Sequence, residues 1–360
     1  MGYLRCFMKR LLYLLFIFLT NNVIGQKDSL QISFYVEPYY SIELGDNTDH
    51  NRHAPIYCYN RQNEVDINLG LIQFAFKNNK TRANLGIGAG TYMQANYVNE
   101  QDALKYVFEG NAGMRLGKKE LWLDAGILPS HIGFESAIGS TNINLSRSIL
   151  AENTPYYEAG VRISYTSINE KLFVSMLMLN GWQKIRREDQ NQIPSFGHQI
   201  SYKFSDNFLI NWSTYAGIEI VDSLKQNRLF SNLYFDATLG TKWRLMAGWD
   251  IGTQQLQNGG KDTQKLWHSG AISAQYHLHP NWDINARAEF YHDHDMVILT
   301  DLPDGTSLYG ATVGVDYKVL ANFLWRFEYR NLISNKNVFY IAEEYQMQNN
   351  ALTTSWTYKF

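Results

Sequence analysis

Two cysteines in 360 residues provide no disulfide framework. One of them, Cys6, lies in a segment expected to be removed, which leaves Cys58 unpaired. Proline is scarce, at seven residues, so extended strands can run with few interruptions. Beyond the N-terminus no apolar run approaches the ~20 residues that a transmembrane helix requires. A formal net charge of −2 gives no basic footprint for nucleic acid. The hydrolase signatures G-x-S-x-G and H-E-x-x-H do not occur. His131, Glu135 and Ser136 share one loop, but catalytic triads are defined by spatial geometry and not by nearness in sequence, so no enzyme is expected. His292-Asp293-His294-Asp295 lacks further spaced ligands. No metal and no cofactor are expected.

The N-terminus reads as a processing signal. Arg5, Lys9 and Arg10 precede an apolar run from Leu11 to Leu19, and Val23-Ile24-Gly25 precede a cut expected before Gln26. The expected division is therefore a signal peptide over 1–25 and one domain over 26–360. Removal takes three of the 32 Lys and Arg, leaving 29 against 34 Asp and Glu, a charge of about −5.

What the chain has in abundance is alternation. In Trp282-Asp283-Ile284-Asn285-Ala286-Arg287-Ala288-Glu289-Phe290 one face is apolar and the other ionic, because successive strand side chains point to opposite faces. About sixteen such segments recur. They are expected near 30–42, 65–71, 85–89, 108–116, 121–128, 156–166, 172–182, 196–204, 208–218, 228–239, 243–253, 266–277, 282–291, 308–318, 323–331 and 350–360. Short connections alternate with long ones. Those near 44–62, 129–155, 183–195, 254–265, 292–307 and 332–347 are long, and those near 98–105 and 219–227 are intermediate. This is the pattern of an all-β transmembrane antiparallel barrel with short periplasmic turns and long extracellular loops.

Taking the more apolar parity of each strand as lipid-facing leaves no Asp, Glu, Lys or Arg on that face. Leu69 and Leu71 fall on it by this rule. The opposite faces carry the candidate pore-lining residues Glu37, Glu64, Asp66, Asp124, Arg162, Arg244, Asp250, Arg287, Glu289, Arg326 and Glu328. Glu109, Arg115, Glu158, Lys203, Asp236, Asp283, Asp316 and Arg330 share those faces. Such charges need exact pairing in a dry core, but only water in a wet lumen. Acids slightly outnumber bases, which predicts a mild cation preference. The strand Leu172 to Leu179 is apolar on both faces, as expected where a plug packs from inside. Aromatics make up 14% of the chain, and Tyr, at 24, leads them. They gather at strand ends, as bilayer interfaces favour.

The segment Pro129 to Pro155 breaks the rhythm. Ile132, Phe134, Ile138, Ile143, Leu145, Ile149 and Leu150 would be costly on an exposed surface. They fit a loop folded inward to narrow a pore, with an external cap as the other arrangement. His131, Glu135, Arg147 and Glu152 are its candidate constriction residues.

Several stretches carry a family resemblance. They include Phe34-Tyr35-Val36-Glu37-Pro38-Tyr39-Tyr40, Leu123-Asp124-Ala125-Gly126-Ile127-Leu128-Pro129-Ser130-His131-Ile132-Gly133-Phe134-Glu135-Ser136, and Arg147 through Gly160. In these the chain resembles the β-barrel porin family described as OmpL-like, over nearly its whole mature length. The resemblance implies an outer-membrane pore protein and supplies no substrate or catalytic residue. The expected function is a water-filled channel for passive diffusion of small polar solutes or ions, in the outer membrane of a Gram-negative-type bacterium. The expected partners are outer-membrane lipid, the solutes and a homo-oligomeric copy. The alternative is a barrel receptor or scaffold for a surface or periplasmic partner, with little conductance.

Overall fold

The computed structural model describes residues 29–45, 50–52, 55–221, 224–258 and 261–360. The expected signal segment, with Cys6, lies outside them, as do Asp46, Asn47 and Asp49 of the first long loop.

The alternating segments form β1 (Ser29–Glu43), β2 (Val65–Lys77), β3 (Thr81–Ala89), β4 (Val107–Arg115), β5 (Leu121–Pro129), β6 (Tyr157–Thr166), β7 (Leu172–Leu179) and β8 (Ser195–Ser205). They continue as β9 (Phe208–Val221), β10 (Leu224–Leu239), β11 (Trp243–Asn258), β12 (Lys261–His279), β13 (Trp282–Asp293), β14 (Thr306–Leu320) and β15 (Phe323–Ser334). A small hairpin of β16 (Phe339–Ile341) and β17 (Glu344–Gln346) precedes β18 (Gln348–Lys359). Strands β1 to β15 and β18 close into one antiparallel barrel, each beside its neighbours in sequence, with β18 pairing β1. The barrel has sixteen strands, as the sequence predicts. Closure satisfies the backbone groups that lipid cannot. At the seam Phe34 and Phe360 exchange backbone hydrogen bonds of 3.0 and 3.1 Å, and their rings stack at 5.7 Å.

The outer wall is apolar, with Leu229, Leu233, Ile272, Val313 and Phe327 exposed. Aromatic pairs mark its short-turn end, Trp243–Tyr276 at 4.7 Å and Trp282–Tyr317 at 4.4 Å. Toward the long-loop end lie Trp249–Phe290 at 5.5 Å and His292–Tyr309 at 5.4 Å.

Three expectations need correction. Leu69 and Leu71 are buried, and the lipid-facing residues beyond them are Ile72 and Phe74. Asn68 is an extra residue in β2, for Glu37 pairs Leu69 while Pro38 pairs Ile67. A bulge of this kind reverses side-chain parity along the rest of the strand. Glu64 is not on a strand. It lies partly exposed before β2 and pairs with Arg61 at the rim. The stretches near 219–227 and 254–265 are largely strand. Val221 pairs Leu224 and Asn258 pairs Lys261, so these hairpins rise beyond the membrane. β12 has 19 residues where a spanning strand needs about 9–11.

Candidate functional site

The loop between β5 and β6 lies inside the barrel. Proline ends it on both sides, at Pro129 and Pro155. Gly126, just before it, has φ +130°, and a Cβ there would sit 2.2 Å from the Gly110 carbonyl oxygen, so only glycine fits. Near the loop's far end is a single helical turn, α1 (Ile149–Glu152). The hydroxyl of Ser148 caps it by accepting from the Ala151 N–H at 3.2 Å.

The loop is fastened first at His131. Its Nδ1 lies 2.7 Å from the Glu158 carboxylate, and its Nε2 lies 2.8 Å from the Thr214 carbonyl. Ser213 donates to the His131 carbonyl at 2.6 Å. Burial favours the neutral imidazole, but the Glu158 charge outweighs it and holds His131 protonated to higher pH than usual. The chain then crosses the lumen, where the Gly133 N–H reaches Asn232 of β10.

Charged residues of β13 and β15 hold the far side. Arg326 donates to the carbonyls of Gly139 and Ile143 at 3.0 and 2.6 Å. Glu328 accepts from the N–H groups of Leu145 and Ser146 at 2.8 and 3.2 Å. Arg287 donates to the Ser146 carbonyl at 2.6 Å. Glu289 accepts from the Ile149 N–H at 2.6 Å and pairs Arg330 at 2.8 Å. Wall arginines and glutamates thus supply hydrogen-bond partners to carbonyls and N–H groups of a buried irregular segment, as such a segment requires.

Apolar packing completes the seat. Ile132 and Ile149 join Leu177 and Leu179 of β7 in one buried cluster. This explains the two apolar faces of β7, with Met176 and Met178 toward lipid. Leu145 and Ala137 join Ile127, Tyr35 and Tyr39 in another. Val297, Leu299 and Leu302, with Phe339 and Ile341 of the β16–β17 hairpin, extend the first cluster as a roof at the long-loop end. The Asp293 carboxylate ties this roof down, accepting from the N–H groups of Val297, Ile298 and Leu299 at 2.9, 2.7 and 2.9 Å. His292 faces outward while Asp293 faces inward, so strand parity separates these neighbours.

The candidate constriction residues therefore lie elsewhere than on a water-facing rim. His131, Arg147 and Glu152 are buried, and the Glu135 side chain is nearly so. Arg147 braces the loop from within, donating to the carbonyls of Ala137 and Leu145 at 2.6 and 3.0 Å. Glu135 accepts from the Ser148 N–H at 2.8 Å and stands 3.6 Å from Arg287. Glu152 accepts from the Cys58 N–H at 3.2 Å. Burial pushes its pKa up to about 7, against the pull of Arg330.

Among the pore-lining candidates, Arg287, Glu289, Arg326 and Glu328 are covered by the loop. Glu37 is buried against Asn68 at 2.9 Å, and Asp250 against Asn232 at 2.5 Å. Asp66 is half-buried at the start of β2. Asp124 is buried between Arg82, at 2.6 Å, and Arg162, at 3.3 Å. Arg244 is part-exposed beside Asp236 at 2.9 Å. Arg82, Lys318 and Lys359 were not singled out from the sequence, yet each shares parity with an inward-facing neighbour: Asn84, Asp316 and Thr357.

Of three spaces in and above the barrel, the two smaller ones touch the loop. One of about 760 Å³ opens at the long-loop end between Glu100, Trp182 and Arg187. A second, of about 310 Å³, touches the loop from Pro129 to Ile138 and reaches Gln73, Glu109 and Tyr234. A third, of about 440 Å³, lies at the short-turn end below Ser140.

A closed sixteen-strand barrel with an apolar outer wall, a charged inner wall and an inward loop defines the class of outer-membrane porins. The chain belongs to the family described as "Putative beta-barrel porin-2, OmpL-like", which matches residues 29–360. No curated protein matches it. Among solved structures it is similar to the outer membrane channel DcaP of Acinetobacter baumannii, with TM-score 0.64, 10% identity, and 92% of this chain and 97% of that one covered. It is also similar to an anion-selective porin from Comamonas acidovorans, with TM-score 0.63, 7% identity and coverage of 93% and 100%. OmpT of Vibrio cholerae gives TM-score 0.59, 9% identity and coverage of 94% and 100%. At these identities the likeness is one of fold. The chain is a β-barrel porin of the outer membrane.

Proposed function

We propose that this porin lets small polar solutes or ions diffuse passively through water-filled space beside the inward loop, and that the loop sets the size limit. One observation carries this reading: wall charges on β13 and β15 bind the loop backbone across the lumen. A loop so placed leaves one space beside it and another below it, the two that it lines. In this reading His131, Glu135, Arg147 and Glu152 hold the constriction in place from within. The roof at the long-loop end favours a second reading, a barrel of little conductance that serves as receptor or scaffold. The proposal includes removal of residues 1–25 on export. It extends to self-association, because the OmpT likeness includes a trimer form of that protein.

Single-channel recording in planar bilayers with solutes of graded size tests the reading. Wild type is expected to conduct and to exclude larger solutes. Removing about ten residues around Ser136 to Leu145 is expected to raise conductance and loosen the limit. A non-conducting wild-type barrel would favour the receptor, and a deletion without effect on conductance would dismiss the loop as the constriction.

A further inference from the structure

The inner wall holds two populations of charge. Toward the loop, acids and bases are buried together and occupied with loop backbone. Toward the short turns, the charges that reach water are mainly basic. Arg82 and Arg162 share one carboxylate, Asp124. Their side chains are 23% and 22% exposed, and Asp124 is 1% exposed. That group of three carries one net positive charge and shows water only its guanidinium groups. Lys318 lies over Asp283 at 2.8 Å, with side-chain exposures of 44% and 3%. Arg244 is matched by Asp236, and Arg115 by Glu120. Lys203 and Lys359 are exposed on inward-facing positions and have no ion-pair partner among the described residues. Lys77 is inward-facing too, stationed with Arg82 over the ring of Trp122 at 5.9 and 4.5 Å. Lys318 and Lys359 line the 440 Å³ space below Ser140 of the loop.

We infer that the short-turn vestibule is a basic funnel that makes this channel anion-preferring, with small inorganic and carboxylate anions as its favoured solutes. The inference rests on the porin reading above and names its solute class. It reverses the cation preference expected from composition. Most of the acids that tip the composition are beneath the loop or behind a base, with Glu109, part-exposed in the 310 Å³ space, as an exception farther from the short turns, and a passing ion meets the outermost charge first. At physiological salt the screening length is ~8 Å, so nearby exposed bases count for more than acids buried farther into the barrel.

The test is a reversal-potential measurement in a KCl gradient, with chloride and potassium as the probes, together with swelling of liposomes in a neutral pentose. Wild type is expected to pass chloride over potassium several-fold at ~0.1 M. The ratio should fall toward one near 1 M, where the screening length shrinks to ~3 Å. Lys203→Gln with Lys359→Gln is expected to lower the ratio about twofold at low salt with conductance kept. Lys203→Glu with Lys77→Glu is expected to lower it further, and this pair leaves the C-terminal seam untouched. A wild-type ratio at or below one overturns the inference while pentose swelling leaves the porin reading standing. Folded variants with an unchanged ratio also overturn it. A folded wild-type barrel with neither current nor swelling overturns the porin reading, and this inference with it.

Discussion

The loop-side and short-turn halves of the lumen use the same alternation of apolar and charged residues, and they end in different physical states. In the loop-side half Arg287, Glu289, Arg326 and Glu328 are buried and bound to loop backbone. In the short-turn half Lys203, Lys318 and Lys359 reach water. Burying a charge is costly unless it is paired and hydrogen-bonded. The loop-side half meets that condition with carbonyls and N–H groups from the loop, so its charges act as structural clamps. Among the described residues no segment covers the short-turn half, so its exposed bases can act on solutes. The same residue types are architecture in one half and electrostatics in the other, and the covering loop makes the difference.

Removing a clamp should give the largest effect. Arg326→Ala would leave Asp316 and three loop carbonyls, those of Gly139, Asn142 and Ile143, without their buried partner. Breaking a buried pair from one side costs about 3–5 kcal/mol. The expected result is an unseated loop, read as raised conductance and as new proteolytic cleavage between Gly139 and Ser146 in a barrel that still folds. Gln275→Arg, in the open half, should change neither. If both variants leave cleavage and conductance alike, the two halves do not differ as described.

The next effect concerns the outer wall. Ala286 faces lipid on β13, and Ala286→Arg should impair bilayer folding by about 2–4 kcal/mol if it lies near the midplane. Asn285, its neighbour, faces inward but is buried between Gln275 and Asp316. The tolerant partner for this comparison is therefore Gln275→Arg. Equal loss of folding in Ala286→Arg and Gln275→Arg, measured by denaturant titration in liposomes, would show the register to be wrong.

These choices show what could be read from the sequence. Strand parity alone assigned inner and outer faces around most of the barrel, because a lipid-facing charge is too costly to be common. It failed after Asn68, where one bulged residue turned Leu69 and Leu71 inward. The adjacent apolar pair Leu71-Ile72 was the available sign, since strict alternation forbids it. The inward loop was legible from its apolar residues and from the doubly apolar β7. The partners of the loop were not. Nothing local distinguishes Glu328, which binds the Ser146 N–H, from an acid that lines water, because the contact joins residues far apart in the chain. The long β11–β12 hairpin was read as a loop because its upper half lies outside the membrane, where alternation is no longer enforced.

A smaller effect is expected at the short-turn seam. Deleting Phe360 removes two backbone hydrogen bonds with Phe34 and a stacked ring. Hydrogen bonds of this kind contribute about 1 kcal/mol each, so the isolated barrel should lose little stability. Assembly in cells should fall more, because the terminal aromatic also closes the girdle. Unchanged heat-modifiable yield in cells would remove the seam from the account. Loop cleavage should not change, because the loop is clamped elsewhere.

The smallest effect is a pH dependence confined to the loop-side half. Burial raises Glu152 to about 7, above its ordinary value of 4.5. A group raised on docking stabilises the docked form fully below its ordinary pKa and loses that contribution as pH rises through the raised value. For Glu152 the window runs from about pH 4.5 to about 7. His131 is also raised, by the Glu158 carboxylate working against burial, from its ordinary 6.5. Its contribution is complete below 6.5 and fades above. Both groups therefore seat the loop more firmly in acid, and the loop should loosen as pH rises from about 4.5 through about 7, with the His131 contribution fading above 6.5. Glu152→Gln mimics the protonated form, so it should remove the lower part of this dependence. Since Glu152 does not face water, the ratio of chloride to potassium permeability should stay as in wild type. Proteolytic cleavage of the loop followed against pH, with reversal potentials on the same samples, reads both quantities. A shifted permeability ratio in Glu152→Gln with loop cleavage unchanged would place Glu152 on the solute path and erase the division between the halves at that residue.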